Sequence, residues 1–378
     1  MEILFVSDFL YKPDSGAAGS LITIGNHVEQ LGHKVDYLWH KDRKYVKGPN
    51  YGRILELPFV QYNQLKEALL KHKYDVVIVS QPHAWYAFKN LRQQYPQTLF
   101  INRTHGWELR LALTRYSFSK KETSVAALKK WLLIKFLKHC SVLTVKYSDA
   151  VFCAGSDDAE YIRNDYPEHS GKIFKLSYGL DSSYIGIGLR PKASTKVHFL
   201  FAGQYLVRKG IKDLQSAFKQ LSDRSGEFVV TFIINDDALV QARQDFDFLD
   251  SESLVIKPWV KRNELADIYL DNDVFLMPSY GEGFGKSTLE AMACGLCVVG
   301  YLEGALRDFG RNKENMLISN LGDTAGLLNN ITYALNNRDE IKAYGLQAYK
   351  DVQQQTWKKH ATDTINILES LGAKSKIR

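Results

Sequence analysis

Short runs of apolar residues alternate along this chain with stretches in which apolar positions recur every three to four residues. Such runs are typical of buried strands, and such stretches are typical of helices packed on a sheet. Their alternation predicts an α/β fold with parallel sheets. The predicted strands are 3–7, 34–38, 76–80, 99–102, 150–154, 173–176, 198–202, 229–234, 254–256, 274–277 and 297–300. The predicted helices are 20–31, 211–221, 262–270, 287–293, 324–335, 340–354 and 357–371.

A stretch near the middle of the chain, 184–193, carries two glycines and a proline and predicts a linker. The length of 378 residues is enough for two domains. We expect an N-terminal Rossmann-like domain over 1–188 and a C-terminal one over 189–355. Two such domains would face a cleft at the carboxyl ends of their strands, where α/β proteins bind ligands.

The composition, with 45% hydrophobic and 24% charged residues, is that of a soluble globular protein. No window approaches about 18 uninterrupted apolar residues, so we expect no transmembrane helix. The first residues resemble a strand and lack a basic segment and a cleavage site, so we expect no signal peptide. Four cysteines do not make a disulfide framework, and we expect Cys294 and Cys297 to be packed core thiols. These features favour the cytoplasm.

Positive charge is concentrated in the first half of the chain. Residues 1–190 carry 26 Lys and Arg against 18 Asp and Glu, whereas residues 191–378 carry 23 against 24. This asymmetry suggests an anionic surface as a partner of the first half. Within it, 110–146 holds nine basic residues and one acidic residue.

A helix predicted over 125–139 would carry an apolar face and, opposite it, lysines interleaved with Trp131 and Ile134. Such a surface suits an anionic membrane, and one interpretation is that this helix attaches the protein peripherally to the inner membrane face. An ordinary surface helix of the first domain is the alternative. The apolar face would be Val125, Leu128, Leu132 and Phe136, and the lysines would be Lys130, Lys135 and Lys138.

The most informative segment, 278–299, joins a strand to an amphipathic helix through a glycine-rich turn. Glu282 lies in the turn and Glu290 lies eight positions later in the helix. The glycines allow a sharp turn and a close ligand approach, and a helix start offers N–H groups to phosphate. A sugar nucleotide, with hydroxyl groups on both sides of a diphosphate, matches this arrangement. A plain strand, turn and core helix with solvated glutamates is the structural alternative.

The segment 278–299 resembles the E-x7-E signature of retaining glycosyltransferases with the GT-B fold, in particular the GT4 family. The resemblance implies an N-terminal acceptor domain, a C-terminal nucleotide-sugar donor domain, and a last helix over 356–378 that packs back on the first domain. It also implies that Glu282 holds sugar hydroxyls and that Glu290 holds the nucleotide ribose. The turn and helix start that would bind the donor are Gly283, Phe284, Gly285 and Lys286.

The segment 200–210 resembles the G-R-x-x-x-x-K-G element of the same family, whose Arg and Lys bind the donor diphosphate. Lys209 matches the lysine, while Gln204 stands where the family usually has arginine. This departure removes a charge and a bidentate donor, for which the neighbouring Arg208 is a candidate substitute. A solvated helix start is the structural alternative for Lys209 and Arg208.

Three weaker matches complete the predicted site. Gly16 lies in a loop after the first strand, at the position of the glycine-rich first loop of GT4 enzymes, although Ser15 replaces one glycine. His105 follows a strand end, where family members place a histidine near the donor sugar. Trp259 and Val260 fall where relatives contact the nucleotide base, and a core position for the tryptophan is equally open.

The resemblance implies a retaining glycosyltransferase that moves a sugar from a UDP- or GDP-sugar to a hydroxyl acceptor with the α linkage kept. Glu282, His105 and Lys209 are the candidate catalytic residues. Front-face attack is the expected mechanism, and Glu282 acting as a nucleophile is the runner-up. The expected role is the synthesis of a cell-surface polysaccharide, glycolipid or related glycoconjugate.

The alternatives are another GT-B enzyme, such as an epimerase or an inverting transferase, and a non-catalytic partner subunit, which Gln204 favours. We expect no cofactor and no metal, because Lys209 and helix N-termini would offset the charge of the leaving diphosphate. Asp271, Asn272 and Asp273 precede a core strand and are expected to be structural. The expected partners are the donor and a glycan, glycolipid or glycoprotein acceptor, with no nucleic acid.

Overall fold

The structure is a computed structural model that describes residues 1–7, 11, 16–39, 50–80, 82–117, 124–190 and 194–372, without the side chains of 17, 50–54, 82, 262 and 263. The chain divides into two compact units. Unit 1 comprises Met1–Gly179 and Trp357–Arg378, and unit 2 comprises Leu180–Thr356. The predicted boundary at 188 falls inside unit 2, and residues 191–193 of the predicted linker lie outside the described part.

Unit 1 is built on a parallel sheet of six strands, in the order β2-β1-β3-β4-β5-β6. Its central strands are apolar runs buried on both faces, as expected of a parallel sheet covered by helices. The chain leaves β1 for β2 on one side and returns to β3 on the other, which makes a switch point between β1 and β3. The strands are β1 (Glu2–Val6), β2 (Lys34–Leu38), β3 (Val76–Ser80), β4 (Leu99–Arg103), β5 (Ala150–Cys153) and β6 (Ile173–Lys175).

Helices pack against this sheet, and the last helix of the chain returns to it. The helices are α1 (Gly16–Gln30), α2 (Asn50–Lys71), α3 (Trp85–Leu91), α4 (Glu108–Ser117), α5 (Ser124–Tyr147), α6 (Ser156–Asp165) and, at the end of the chain, α14 (Trp357–Ser370). Short 3-10 turns cover Pro82–Ala84 and Pro167–Lys172. The α14 helix packs on α1. Unit 1 is therefore formed by two segments of chain that are separated by all of unit 2.

Unit 2 repeats this architecture with strand order β12-β11-β10-β7-β8-β9, again all parallel. The chain leaves β7 for β8 on one side and later returns to β10 on the other, so the switch point lies between β7 and β10. The strands are β7 (Val197–Ala202), β8 (Phe228–Ile234), β9 (Leu254–Pro258), β10 (Val274–Met277), β11 (Cys297–Tyr301) and β12 (Met316–Ser319).

The helices of unit 2 enclose a core of aromatic and branched side chains on its sheet. They are α7 (Ile211–Gln220), α8 (Leu239–Asp245), α9 (Arg262–Leu270), α10 (Lys286–Ala293), α11 (Ala305–Phe309), α12 (Thr324–Asn336) and α13 (Arg338–Val352). Short 3-10 turns cover Ser182–Tyr184, Val207–Lys209, Ser222–Glu227 and Asp236–Ala238. The α/β architecture with two parallel sheets, predicted from the alternation of apolar runs, is confirmed.

The start of α14 is buried among aromatic rings of unit 1. Trp357 is buried, and its ring centroid lies 5.5 Å from that of Tyr178 and 5.6 Å from that of His360. The Nδ1 atom of His360 lies 2.8 Å from the carbonyl oxygen of Ser177. Burial, and secondarily the positive charge of Arg103, lower the pKa of His360 to about 3.

We expect the stability of unit 1 to fall in mild acid because of His360. In an unfolded chain a histidine has a pKa of about 6.5, so below that pH the unfolded state takes up a proton that the folded state excludes. This contribution is fully present above pH ~6.5 and is lost progressively as the pH falls towards about 3. By pH ~5 the loss amounts to about 2 kcal/mol. Urea unfolding of the wild type and of His360→Gln at pH 7, 6 and 5 should show a weaker pH dependence in the variant, and parallel curves would contradict this account.

Candidate functional site

The glycine-rich segment of unit 2 connects β10 to α10 at the carboxyl edge of the sheet. Gly285 precedes α10 with φ of 81°, in the left-handed region that glycine adopts without strain. Ser279 and Glu282 are buried in the turn, and Glu290 is buried on α10. The first N–H groups of α10 point out of its N-terminal end, as in any helix start. The predicted turn and helix start are thus present, with α10 beginning at Lys286.

Two loops that flank the switch point of unit 2 bring Lys209 and Glu282 together. Lys209 ends the 3-10 turn after β7, and Glu282 lies in the turn after β10. The Nζ atom of Lys209 donates to Oε1 of Glu282 over 2.5 Å, and the two side chains are 13% and 9% exposed. Switch points of parallel sheets are where α/β proteins bind ligands. A charged pair withdrawn from water at this place is a candidate functional site.

The carboxylate of Glu282 is held in its ionised form. Burial acts to raise its pKa, but the charge and hydrogen bond of Lys209, a hydrogen bond from Ser279 and the charge of Arg208 outweigh burial and lower the pKa below its usual range. The backbone N–H of Glu282 also donates to Oε1 of Glu303 over 3.0 Å. Glu282 therefore presents a fixed acceptor that can take hydrogen bonds from hydroxyl groups.

Direct backbone contacts hold the two loops at this spacing. Gly210 has φ of 75°, and a Cβ there would lie 2.0 Å from the carbonyl oxygen of Pro278. The N–H of Tyr280 donates to the carbonyl oxygen of Arg208 over 2.8 Å. The close approach requires glycine at position 210, because any side chain would push the two loops apart.

The Arg208 side chain lies along the same turn. Its Nη1 donates to the carbonyl oxygen of Gly281 over 3.2 Å, and its Nη2 donates to Oε1 of Gln204 over 3.4 Å. The guanidinium is thus next to the loop of Glu282. Arg208 lies four positions after Gln204, which stands where the family pattern has arginine. Gln204 orients Arg208 through its amide oxygen.

A second cluster surrounds Glu290 on α10. The Nζ atom of Lys286 lies 3.6 Å from Oε1 of Glu290 and 3.5 Å from Oδ2 of Asp181. The hydroxyl of Tyr269 donates to Oε2 of Glu290 over 3.5 Å. Lys286 is therefore a side-chain member of the site as well as the first residue of its helix.

The sequence interpretation missed Asp181, Tyr269 and Glu303. Asp181 and Tyr269 meet Glu290 and Lys286 only after the chain has folded, and no spacing rule links them to α10. Glu303 follows β11, so its position at the carboxyl edge of the sheet could have pointed to it. A Cβ on Gly304, which has φ of 60°, would lie 2.7 Å from the carbonyl oxygen of Phe284, so this loop also packs closely.

The remaining predicted residues of unit 2 fall into two groups. Phe284 is buried, with its ring 6.2 Å from that of Phe309 in an edge-to-face contact, so it supports the turn from inside. Gly283 is partly exposed beside it. Trp259 follows β9 and is 50% exposed, which excludes the core position that the sequence left open, and Val260 is partly exposed next to it.

His105 lies in unit 1, just beyond the carboxyl end of β4. Its Nδ1 is 2.6 Å from the hydroxyl of Tyr178, and its Nε2 is 3.4 Å from Oγ of Ser80, which ends β3. Burial, and then the positive charge of Arg103, hold the pKa of His105 well below its usual value. The imidazole is therefore neutral and can donate one hydrogen bond and accept another.

Gly16, the other predicted residue of unit 1, is the first residue of α1. A Cβ at Gly16 would meet nothing within 4 Å. Residues 12–15 of the predicted glycine loop, including Ser15, lie outside the described part of the chain. In the described residues, Gly16 and His105 thus belong to unit 1, while the lysine and glutamate positions belong to unit 2.

The basic helix is longer than predicted and its faces differ from the prediction. Of the predicted apolar face, Val125, Leu128 and Leu132 are exposed, by 63%, 57% and 53%, and Phe136 is partly exposed. The core contact is made instead by Leu137, with Leu133 and Ile134 packed beside it. The reason is that only the second half of α5 lies against the sheet. Among the described residues, no helix combines the length and the apolar character needed to cross a bilayer.

Other candidate chemistries in the sequence are structural in the folded chain. All four cysteines are buried thiols that form no disulfide, and burial raises the pKa of Cys140 to about 12. Asp273 accepts from the N–H of His198 over 2.8 Å, and Asp271 pairs with Arg190. Within the part of the chain that the structure describes, no three His, Cys, Asp or Glu residues are placed to hold a metal ion.

The span of unit 2 that carries this geometry matches a known family. Residues 190–351 match the family described as glycosyl transferases group 1. This match covers less than half of the chain and lies within unit 2, and residues 190–351 are called the group 1 region below. The group 1 region includes Lys209, Glu282 and Glu290, and its identification confirms the family resemblance seen in segment 278–299.

Curated proteins that are similar to this chain include glycosyltransferases. The sulfoquinovosyl transferase of Arabidopsis thaliana is 24% identical over 62% of this chain and 46% of its own length. The D-inositol 3-phosphate glycosyltransferase of Arthrobacter sp. (strain FB24) is 31% identical over 34% of this chain and 33% of its own. The match thus spans less than half of each of these relatives.

Solved structures show the fold over nearly the whole chain. Sucrose-phosphate synthase from Thermosynechococcus elongatus matches with a TM-score of 0.78 and 17% identity, over 99% of this chain and 100% of that one. Anabaena HepE in complex with UDP and glucose matches with a TM-score of 0.68 and 15% identity, over 98% and 100%. These likenesses confirm the GT-B fold expected from the sequence.

The buried ion pair of the group 1 region should be strongly coupled. Lys209→Met is expected to destabilise the protein by about 3 kcal/mol, because it leaves the Glu282 carboxylate buried without its cation. In the double variant with Glu282→Gln the uncompensated charge is removed as well, so the loss should be clearly smaller than the sum of the two single losses. Urea unfolding followed by circular dichroism measures all three variants.

Lys212→Met is the matched control for this cycle. Lys212 forms an ion pair with Asp245 over 3.5 Å from a side chain that is 57% exposed. Exposed pairs contribute about 1 kcal/mol or less. Additive losses for Lys209 and Glu282, or a loss at Lys212 as large as that at Lys209, would contradict the assigned role of burial.

Proposed function

We propose that this chain is a retaining glycosyltransferase that moves a sugar from a UDP- or GDP-sugar to a hydroxyl acceptor with the α linkage kept. The observation that carries the proposal is the Lys209–Glu282 pair beside the start of α10, at the switch point of unit 2. It combines a cation for a diphosphate with a carboxylate for hydroxyl groups. The proposed role is the synthesis of a cell-surface polysaccharide, glycolipid or related glycoconjugate.

The leaving diphosphate is the group that the cations of this site fit. Lys209 and Arg208 both reach the loop of Glu282, and the N-terminal end of α10 faces the same loop. Together they would offset the charge that grows on the diphosphate as the glycosidic bond breaks. Arg208 would take the place of the arginine that Gln204 replaces, so this arrangement needs no metal ion.

The two glutamates would hold the hydroxyl groups at either end of the donor. Glu282 is ionised and buried, so it can accept hydrogen bonds from the hydroxyls of the transferred sugar. Glu290, with Lys286 and Tyr269 around it, would accept from the ribose. Trp259 is exposed and free to stack on the base. The complex of Anabaena HepE with UDP and glucose is a structural neighbour that binds such ligands.

Retention would follow from departure and attack on the same face of the sugar. Glu282 accepts hydrogen bonds from hydroxyl groups and from Lys209 in this scheme, so it takes no covalent part. His105 is neutral and would contact the donor sugar, as a hydrogen-bond donor or acceptor rather than as a cation. A covalent intermediate on Glu282 is the competing mechanism, since an ionised carboxylate is also a nucleophile.

Replacement of Glu290 tests the donor site. The thermal shift produced by UDP, GDP, ADP and their sugars identifies the nucleotide that stabilises the wild type. Glu290→Ala should then raise the KM for the corresponding nucleotide sugar and lower turnover, with a loss of about tenfold or more in kcat/KM, because a charged hydrogen bond is removed. The unfolding temperature without nucleotide should change little.

Glu252→Ala is the control for Glu290, since Glu252 lies in the same unit with a side chain 84% exposed. It should leave donor kinetics unchanged. Unaltered donor kinetics in Glu290→Ala would remove Glu290 from the site. The absence of nucleotide release from every common sugar nucleotide would instead favour a non-catalytic partner subunit.

We further propose that α5 attaches the protein to an anionic membrane at its cytoplasmic face. The first half of α5 exposes Trp131 and Leu132, each by 53%, together with Val125 and Leu128. Lys138 is exposed on the same helix, and the Nζ atom of Lys135 lies 5.5 Å from the ring centroid of Trp131. Apolar side chains interleaved with lysines fit an interface of acyl chains and anionic headgroups. A lipid-linked acceptor would be presented at this surface.

Vesicle co-sedimentation tests this attachment. The wild type should bind vesicles that contain phosphatidylserine and should lose binding in neutral vesicles or at high salt. Trp131→Ser with Leu132→Ser should weaken binding by about tenfold or more, because apolar area leaves the interface. Val240→Ser removes an exposed apolar side chain from unit 2 and serves as the control. No binding to anionic vesicles at low salt would overturn the proposal.

A further inference from the structure

Unit 1 contains a buried cation that no described residue neutralises. Arg103 is the last residue of β4 and is 4% exposed. Among the residues that the structure describes, neither Nη1 nor Nη2 of Arg103 has a hydrogen-bond partner, although both are buried. Buried charges in proteins are normally paired with an opposite charge or satisfied by several hydrogen bonds. Arg103 is therefore an exception that requires a physical reason.

The groups around Arg103 are aromatic and neutral. The Cζ atom of Arg103 lies 5.3 Å from the centroid of the Tyr178 ring. Burial and the charge of Arg103 itself lower the pKa of His105 and of His360, so both imidazoles are uncharged near neutral pH. The π face of Tyr178 attracts the guanidinium, but it cannot accept the directed hydrogen bonds of five N–H groups. The cation thus keeps its hydrogen-bonding capacity for another molecule.

Asp158, whose charge acts on Tyr178, is already engaged by other donors. Asp158 accepts from Nε of Arg110 over 2.8 Å and from the N–H of Trp107 over 2.8 Å. Its other contact is the hydroxyl of Thr104, at 3.2 Å. The contrast between the two arginines is informative, because Arg110 has a carboxylate partner and Arg103 has none among the residues that the structure describes. The ion pair with Asp158 accounts for the burial of Arg110. No comparable contact accounts for the burial of Arg103 among the described residues.

The position of Arg103 is one where a ligand is expected. It ends β4 at the carboxyl edge of the sheet, the edge at which α/β folds bind ligands. His105 lies two residues further on, is partly exposed, and contacts Ser80 at the end of β3. An imidazole and a hydroxyl beside a guanidinium provide several hydrogen-bond donors on one side. Such a set binds a planar or tetrahedral oxyanion.

We propose that Arg103, with His105 and Ser80, binds an oxyanion, a phosphate or a carboxylate, carried by the hydroxyl acceptor. The guanidinium fork matches both groups in a bidentate geometry, which a lysine would not reproduce. The assignment to the acceptor rests on the proposed glycosyltransferase function, whereas the anion site itself does not. It restricts the acceptor to molecules that carry a negative charge near the hydroxyl that is glycosylated.

Calorimetric titration with small probes tests the anion site without knowledge of the acceptor. Glucose 6-phosphate, glucuronate and inorganic phosphate carry the two candidate groups, and glucose carries neither. The titrations use Lys209→Met so that phosphate cannot bind through the lysine of unit 2. In this background the charged probes should bind and glucose should not. A difference between glucose 6-phosphate and glucuronate identifies which oxyanion is preferred.

Arg103→Met added to this background should weaken the binding of the charged probes by about tenfold or more, as expected for the loss of charge-assisted hydrogen bonds. Arg115→Met is the matched control, because Arg115 is an exposed arginine of the same unit, and it should leave binding unchanged. Equal binding by the Arg103 and Arg115 variants, or no binding of any charged probe, would overturn the proposal.

Arg103→Lys covers the case in which the methionine variant does not fold. It keeps the charge and loses the fork, so it should fold and still bind the charged probes at least several-fold more weakly than arginine does. Unweakened binding in Arg103→Lys would also overturn the proposal. UDP, GDP and ADP titrated into Arg103→Lys separate this outcome from a failure of the proposed function, because nucleotide binding in unit 2 should be unaffected by the change.

Discussion

The ion pair between Lys209 and Glu282 is the constraint on which the geometry of unit 2 depends. Each charge is withdrawn from water, and each is stable there only while the other is present. To bring them within hydrogen-bond distance, the loops after β7 and β10 must approach each other through Gly210 and Pro278. The paired strands β7 and β10 set the spacing of those loops. The turn, the helix start and the carboxylate therefore form one rigid arrangement.

That arrangement also explains why the charges in the site nearly balance. Lys209, Arg208 and Lys286 are positive, and Glu282, Glu290 and Asp181 are negative. In this state Lys209 and Lys286 are held by carboxylates. A diphosphate would have to draw Lys209 away from Glu282. The carboxylate released in that exchange would become available to sugar hydroxyls. Donor binding and preparation of the sugar contact would thus be the same event.

Much of this could be predicted from the sequence because it depends on local patterns. Apolar runs identified eleven of the twelve described strands, and the segment 278–299 located the turn and α10. The strand that was missed, β12, has four residues, lies at the edge of its sheet and follows the polar residues 311–315 in the sequence. Helix α2 was missed too, since it contains Pro58, a residue that normally ends a helix.

The parts that could not be predicted depend on contacts between distant segments. Tyr269 and Asp181 reach the site from two separate elements, and nothing in their local sequence links them to α10. Glu303 is indicated only by its position after β11. The faces of α5 were assigned from periodicity alone, which gives the angle between residues but not which part of the helix meets the sheet. Arg103 lies two residues before His105, yet its lack of a carboxylate partner among the described residues is visible only in the folded chain.

The return of α14 to unit 1 has a consequence for how the protein is made. Unit 2 is one continuous segment, so it can fold as soon as residue 356 has left the ribosome. Unit 1 cannot, because Trp357 and His360 close its core and are synthesised after all of unit 2. During synthesis the N-terminal sheet must wait, with its α14 site open, until α14 has been made. A chain cut short before Trp357 would therefore contain a finished unit 2 joined to an unfinished, aggregation-prone unit 1.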